Sequence, residues 1–439
     1  MYAGGSRTAL QKLEVMQNNF LRLALGALRT SPIPSLQVEA NIAPLHIRRI
    51  DLTMRYYTKI KQFPEHAAFA AIATLPRLHF SYLGPAEKRT GLTIASRVKK
   101  YEGELDYSLP AIPPLPRLDV APWLLRPLAV SFLLTVSKRS LSSEEVQQTF
   151  LKYKTEHPTF RFIYTDGSKD QDLTGIGVFS QDLIRVKKRL SNNTSIYSAE
   201  LHAILTALNL IKQHRIQRAC ICSDSKSAIQ SLRSLNVTQH THISIVQLHQ
   251  HLSEEGIEIQ FLWVPGHQGI IGNEMADRYA KQALQLAHVS QTHFDVNAVH
   301  TSVKSRCHRL WQLTWDSNGP GSHLYQIKPR LGYWVSSSRT SRKEEKALAR
   351  LRIGHTYLTH SFIYTNNPRP TCSRCRTVLS LKHIILHCEK YNNERNALQQ
   401  YCRTHAMQLT LPSLLGDDHE DLLQLLFSFL VTTNLINRL

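Results

Sequence analysis

Four carboxylates sit where the chain's own pattern would bring them together. Asp166 closes "FRFIYTD", an apolar run that reads as a buried strand entering a tight turn. Asp224 closes a second such run, "RACICSD". Glu200 lies in "SAELHAILTALNLIK", whose Leu201, Ile204, Leu205, Leu208 and Ile211 share one helical face, with Ser198 as the candidate N-cap. Asp277 lies in the first turns of the helix "NEMADRYAKQAL". Carboxylate oxygens at this density suit hard divalent cations, Mg²⁺ or Mn²⁺, rather than zinc. Two such ions, about 3.5–4 Å apart, make a clamp for in-line phosphodiester cleavage, one activating water and the other stabilising the leaving oxygen. Taken singly, each acid has a plainer role. Glu200 suits a helix start, Asp224 could cap the helix that follows, and Asp277 could pair with Arg278 or Lys281. The four together favour a site.

His267 lies in "VPGHQGIIG", where Gly266, Gly269 and Gly272 imply a mobile loop. A near-neutral imidazole beside a metal site suits proton transfer; the plainer reading is a solvated loop residue. His240, His242, His249 and His251 read as a wet helix face rather than a metal site. The elements that must position the acids run from Phe160. "FRFIYTD", "GIGVFSQD" and "IRVKKRL" read as three strands, then a helix, the strand "RACICSD", two helices, the strand "IEIQFLWVP" and a closing helix. That order predicts an α/β fold with a mixed five-stranded sheet flanked by helices.

"IYTDGSK", "SAELHAI", "CSDSKSAI" and "WVPGHQGIIGNEMADRYA", in this order and spacing over 158–290, resemble a type 1 ribonuclease H. The resemblance implies that Asp166, Glu200, Asp224 and Asp277 are the family's four acids, holding two Mg²⁺ ions (Mn²⁺ as a substitute). Asp166 would bridge both ions, and Asp277 would serve mainly the one on the nucleophile side. It implies that His267 shuttles a proton or assists product release. The reaction implied is hydrolysis of the RNA strand of an RNA–DNA hybrid, leaving a 3′-hydroxyl and a 5′-phosphate. Two features differ from the family's pattern. Ile196-Tyr197 stands where relatives carry an Asn-containing pair that touches the substrate, and "NVTQHTH" has no basic protrusion. The expectation is that hybrid affinity depends on the flanks, since phosphate neutralisation dominates such binding.

Those flanks are basic. The net charge of +20 divides into +9 over residues 1–157 (21 basic, 12 acidic), +2 over 158–290 (13 and 11) and +9 over 291–439 (19 and 10). A nearly neutral middle between basic ends suits a chain that grips a polyanion at its ends and acts on it in between. Near the C-terminus, "CSRCRTVLSLKHIILHC" spaces Cys372, Cys375, His383 and Cys388 for one tetrahedral zinc, with His387 as the competing imidazole. Buried free thiols are the alternative. "RLRIGHTYLTHSFI" with "PTCSRC" and "HIILHC", and "NNFLRLALGALRTSPIPSLQVEANIAPLHIRR" near the start, resemble the C-terminal part of a non-LTR (LINE-type) retrotransposon polyprotein. The only Asp-Asp pair, Asp417-Asp418, lies outside the strand-turn setting of a polymerase. The implied protein is a truncated element that keeps ribonuclease H and lacks polymerase. A non-catalytic nucleic-acid-binding remnant is the competing reading. Integrase- and transposase-type nucleases use three acids and a different helix order.

The expected organisation is a helical segment at 1–109, a Pro-rich linker at 110–157 and the ribonuclease H-like domain at 158–290. A basic helical tail at 291–365, a zinc module at 366–395 and C-terminal helices at 396–439 follow. The helix from Leu13 through Met16, Phe20 and Leu23 to Ala27 is expected to bury that face, as is a second with Ile47, Ile50, Met54, Tyr57 and Ile60. Seven cysteines, no secretory signal at Met1–Leu13 and an apolar stretch at 120–136 interrupted by Arg126 and prolines predict an intracellular, non-secreted chain without a membrane span. Whether it is nuclear or cytoplasmic, and its oligomeric state, stay open.

Overall fold

The computed structural model describes residues 5–70, 93–118, 120–134, 142–192, 194–233, 239–290, 295–339 and 341–439. The connection at 234–238 and part of the N-terminal segment, 71–92, lie outside the described residues. The described residues fall into two units, one of 5–53, 93–101 and 305–439, the other of 54–70 and 102–304. Among them no helix is long and apolar enough to cross a membrane.

The second unit is built on a sheet of β1 (Ala129–Phe132), β2 (Arg161–Asp170), β3 (Leu173–Ser180), β4 (Ile184–Leu190), β5 (Arg218–Ser223) and β6 (Glu258–Trp263). The order is β1-β6-β5-β2-β3-β4. β2, β3 and β4 form an antiparallel meander, while β2, β5, β6 and β1 run parallel. The sheet therefore has six strands, not the five expected from sequence. The sixth, β1, is a four-residue edge strand directly behind a proline-dense stretch, so its own pattern is too short to announce a strand. It forms because β6 offers a free edge: Ala129 to Phe132 register with Gln260 to Trp263, and the Leu133 amide donates to the Trp263 carbonyl at 3.0 Å.

Five helices surround the sheet: α1 (Ser143–Glu156), α2 (Ile196–Gln213), α3 (Lys226–Ser231), α4 (His240–Glu254) and α5 (Ile271–Ala283). α1, inside the segment read as a linker, starts with a capping box in which Ser142 and Glu145 satisfy each other's backbone amides. α2 is capped by Ser195, three residues before the expected Ser198, because the Ser195 hydroxyl accepts from the Ser198 amide at 3.1 Å. In β3, Ile176 packs with Ala199 and Ala203 of α2, whereas Gly177 abuts the backbone of Ala276 and Ala280 in α5. Successive strand residues face opposite ways, so α2 and α5 cover opposite faces of the sheet. A side chain at Gly177 would lift α5 away. The core runs through Ile163, Leu201, Leu208, Ile221 and Phe261, each fully buried.

The histidines of α4 do not form a wet face. His242 and His249 are buried, and burial lowers both from the usual imidazole range, His249 to about 4. His251 is exposed and pairs with Glu255 at 2.9 Å. The sequence does carry the sign of this: His242, Ile245, Val246, His249 and Leu252 follow one helical stripe.

The first unit is helical. Helix Arg7–Leu25 turns Leu21 inward against Leu36 and Ile353. Met16, Phe20 and Leu23, the face expected to be buried, are exposed. In helix Leu45–Lys61, whose residues from Met54 on belong to the second unit, the expected Ile47, Ile50, Met54 and Ile60 are buried. Arg352, fully buried in helix Arg342–Ile353, lies 3.6 Å from both Glu39 and Asp417 and 3.7 Å from the centre of the Trp334 ring.

Candidate functional site

Parallel pairing of β2 with β5 sets Thr165 against Ser223 and so carries Asp166 and Asp224, each the next residue, to one end of the sheet. Glu200, in the second turn of α2, reaches the same point. One oxygen from each of Asp166, Glu200 and Asp224 lies within 4.8 Å of the other two. Asp166 and Glu200 are buried and Asp224 is half-buried. Burial pushes the Asp166 carboxyl up to about 8, and the charges of Asp224 and Asp277 add to the effect. Glu200 is raised well above the usual range by burial, then by Asp166 and Asp224; the Gly167 amide and the Ser223 hydroxyl offset part of this. Glu200 Oε2 is buried and has no hydrogen-bond partner. Three crowded carboxylates, one with an unsatisfied oxygen, fit a site for hard divalent cations, which would neutralise them and supply what Oε2 lacks.

Asp277 stands apart from this trio. Its side chain is held by Lys281 one turn on in α5, at 2.7 Å. It is near enough to raise Asp166 electrostatically, but it is not among the three converging carboxylates.

Asp224 is fixed by neighbours that the motif alone does not name. The Asn273 amide, at the start of α5, donates to Asp224 Oδ2 at 3.2 Å, and the Trp263 indole N–H donates to the Asp224 carbonyl at 3.0 Å. Gly266 lies so close that a side chain there would collide with Asp224 Oδ2. Ser225, not Asp224, caps α3.

His267 is exposed at the apex of the loop between β6 and α5, in the left-handed region at φ 57°. The loop is tied on both sides by hydrogen bonds. Gln147 of α1 donates to the Gln268 carbonyl at 3.0 Å, Ser143 to the Gln268 side chain at 3.1 Å, and the Gly269 amide to Glu274 at 2.9 Å.

Residues 159–285 match the family model for RNase H. This chain carries an RNase H domain. Over 146 residues it is 27% identical to ribonuclease H1 of Homo sapiens, a match covering 28% of this chain and 49% of that protein. Over 131 residues it is 34% identical to the Pol polyprotein of equine infectious anemia virus (strain Wyoming), covering 29% of this chain and 11% of the polyprotein. A solved structure described as LC11-RNase H1 in complex with RNA/DNA hybrid aligns at 20% identity and a TM-score of 0.24, over 28% of this chain and 99% of its own. The chain spans about half the length of the ribonuclease H1 relatives it matches. In the second unit, β1 and α1 lie before the matched residues.

The other unit holds a second cluster. Ligand atoms of Cys372, Cys375, His383 and Cys388 lie within 4.8 Å of one another. The Cys372 amide donates to the Thr377 carbonyl and the Arg376 amide to the Cys372 carbonyl, both at 2.8 Å, which turns Cys372 and Cys375 toward each other. His383 opens a single π-helical turn, His383–His387, whose end places Cys388. His387 is exposed and outside the cluster. Buried Arg395 donates to the carbonyls of Ile385 at 2.7 Å and Cys388 at 2.8 Å and so fixes that turn. The Cys375 amide and His383 bring the Cys372 thiol down to about 6, while burial raises Cys388 to about 11. No disulfide joins the cysteines, and His383 Nε2 is buried without a partner. Three thiols and an unpartnered imidazole nitrogen fit one zinc ion.

Proposed function

We propose that the RNase H domain hydrolyses the RNA strand of RNA–DNA hybrids in a reaction dependent on Mg²⁺ or Mn²⁺. The observation that carries this reading is the convergence of the Asp166, Glu200 and Asp224 carboxylates where β2 runs past the end of β5. Bound cations supply a water of lowered pKa and stabilise charge on the leaving oxygen. Asp166, Glu200 and Asp224 would hold the cations. Asp277, held by Lys281 in this structure, would be the fourth acid. Asn273 and Gly266 hold Asp224 in place, and His267 moves a proton or assists product release from the tied loop. The match to curated ribonuclease H1 proteins supports the substrate class at the level of the family.

The Cys/His cluster binds one structural zinc, and the basic flanks hold nucleic acid. The likeness to a retroviral Pol polyprotein supports a polyprotein context, which we read as that of a non-LTR retrotransposon. The purified chain, given Mg²⁺ and a labelled RNA–DNA hybrid, should cut the RNA strand, and Asp224→Asn should abolish cutting. Hybrid binding without cleavage would support a non-catalytic nucleic-acid-binding remnant instead.

A further inference from the structure

His323, His355 and His360 line one cavity of about 660 Å³ in the unit that holds the Cys/His cluster. Arg369 and Lys382 also line it, and no carboxylate does among the described residues. The His355 and His360 rings stack with centroids 3.7 Å apart and planes 13° from parallel. Each imidazole is anchored through one nitrogen: His355 Nδ1 to the Thr30 hydroxyl at 3.1 Å, His360 Nδ1 to the Thr359 hydroxyl at 2.8 Å and His323 Nε2 to the Leu351 carbonyl at 2.9 Å. Burial lowers all three from the usual imidazole range, His355 to about 4, and the fixed side-chain charges of the lining are the two cations. Arg369 lies 5.5 Å from the Phe362 ring, itself part of the wall. Much of the remaining wall is apolar and comes from 378–382, the stretch between Cys375 and His383.

A cavity with cations and no acids selects an anion, and guanidinium and ammonium groups suit phosphate. An apolar and aromatic wall beside them gives a ring system a surface to stack on. The volume falls within the roughly 300–1,000 Å³ of ordinary ligand sites. We propose that this cavity binds one nucleotide, its phosphate on Arg369 and Lys382 and its base against Phe362 and the apolar wall. The site is independent of the hydrolytic reading, since none of its residues belongs to the RNase H domain.

Calorimetry on the whole chain, without added Mg²⁺, tests this with adenosine 5′-monophosphate, adenosine and inorganic phosphate as probes. The nucleotide should bind, and each fragment should bind at least about ten-fold more weakly, because each engages only one half of the cavity. Arg369→Gln and Lys382→Gln should each weaken nucleotide binding by about five-fold or more while leaving the melting temperature unchanged, since both side chains are exposed. A short single-stranded RNA that displaces the nucleotide would identify a strand as the source, and failure to displace it would identify free nucleotide; both outcomes support the site. Phosphate binding as tightly as the nucleotide, no nucleotide binding at all, or wild-type affinity in both variants overturns it.

Discussion

Asn273 holds Asp224: its side-chain amide donates to Asp224 Oδ2 at 3.2 Å from the first turn of α5, the helix that also carries Asp277. One helix therefore orients an acid on β5 and supplies another of its own. Truncation at this position should loosen Asp224 without removing it. Asn273→Ala is expected to lower hybrid cleavage by about 10- to 100-fold, the usual effect of losing a partner that orients a metal ligand. It should also raise the Mg²⁺ concentration needed for half-maximal rate. A Mg²⁺ titration of cleavage checks this; an unchanged titration would remove Asn273 from the positioning role.

Asp166 gives a test that needs no substrate. Its carboxyl is pushed up to about 8 in the fold, against an ordinary unfolded value near 3.8. Between those values the folded chain holds the extra proton, so this carboxyl's contribution to stability is fully present below about pH 4 and is lost as pH rises through about 8. Asp166→Asn removes this loss. Without added divalent cation the variant should be more stable than wild type by on the order of 2 kcal/mol above about pH 8, and the gap should close as pH falls toward about 4. Urea melts at several pH values measure it. The same variant should lose cleavage.

The loop bearing His267 is tied to α1 through Gln147. Gln147→Ala should reduce kcat by a few-fold while leaving KM nearly unchanged, because it frees a loop beside the carboxylates and removes no substrate contact in the proposed site. Equal losses in binding and turnover would point to a direct substrate role for α1.

The Cys/His cluster should carry one zinc per chain by elemental analysis. Cys388→Ser should release the metal and lower the melting temperature of the unit that holds it, since such metal binding is coupled to folding. Full zinc content in Cys388→Ser would exclude Cys388 as a ligand. His387→Ala should leave the metal bound, because that ring lies outside the cluster.

The placement of the acids was legible because the apolar pattern of the strand or helix at each is long enough to read, although β2 does not stop in a turn at Asp166 as expected but runs on to Asp170 along β3. Asp166 and Asp224 needed only two buried strands lying side by side, and the register supplies that. Other features were hidden for physical reasons. β1 is four residues long and takes its stability from β6 rather than from its own sequence. α1 did carry a signal, Ser142 with Glu145 ahead of Val146 and Phe150, but the neighbouring prolines masked it. Asn273 shows no spacing rule of its own; lying one turn before Asp277, it shares that acid's helix face. Arg395 acts through backbone carbonyls, which no sequence pattern displays.

β1 also bears on how this enzyme-like half can be handled in isolation. A fragment cut at 158 would keep every carboxylate yet strip β6 of its neighbour, leaving the backbone of Gln260 to Trp263 unpaired at a raw margin. It would also uncover Phe162 and Tyr164, on which Phe150 of α1 rests. Such a piece should self-associate through strand addition, whereas one beginning ahead of Leu125 should stay monodisperse in light scattering at equal concentration. The sixth strand thus covers the edge through which such a fragment would add strands.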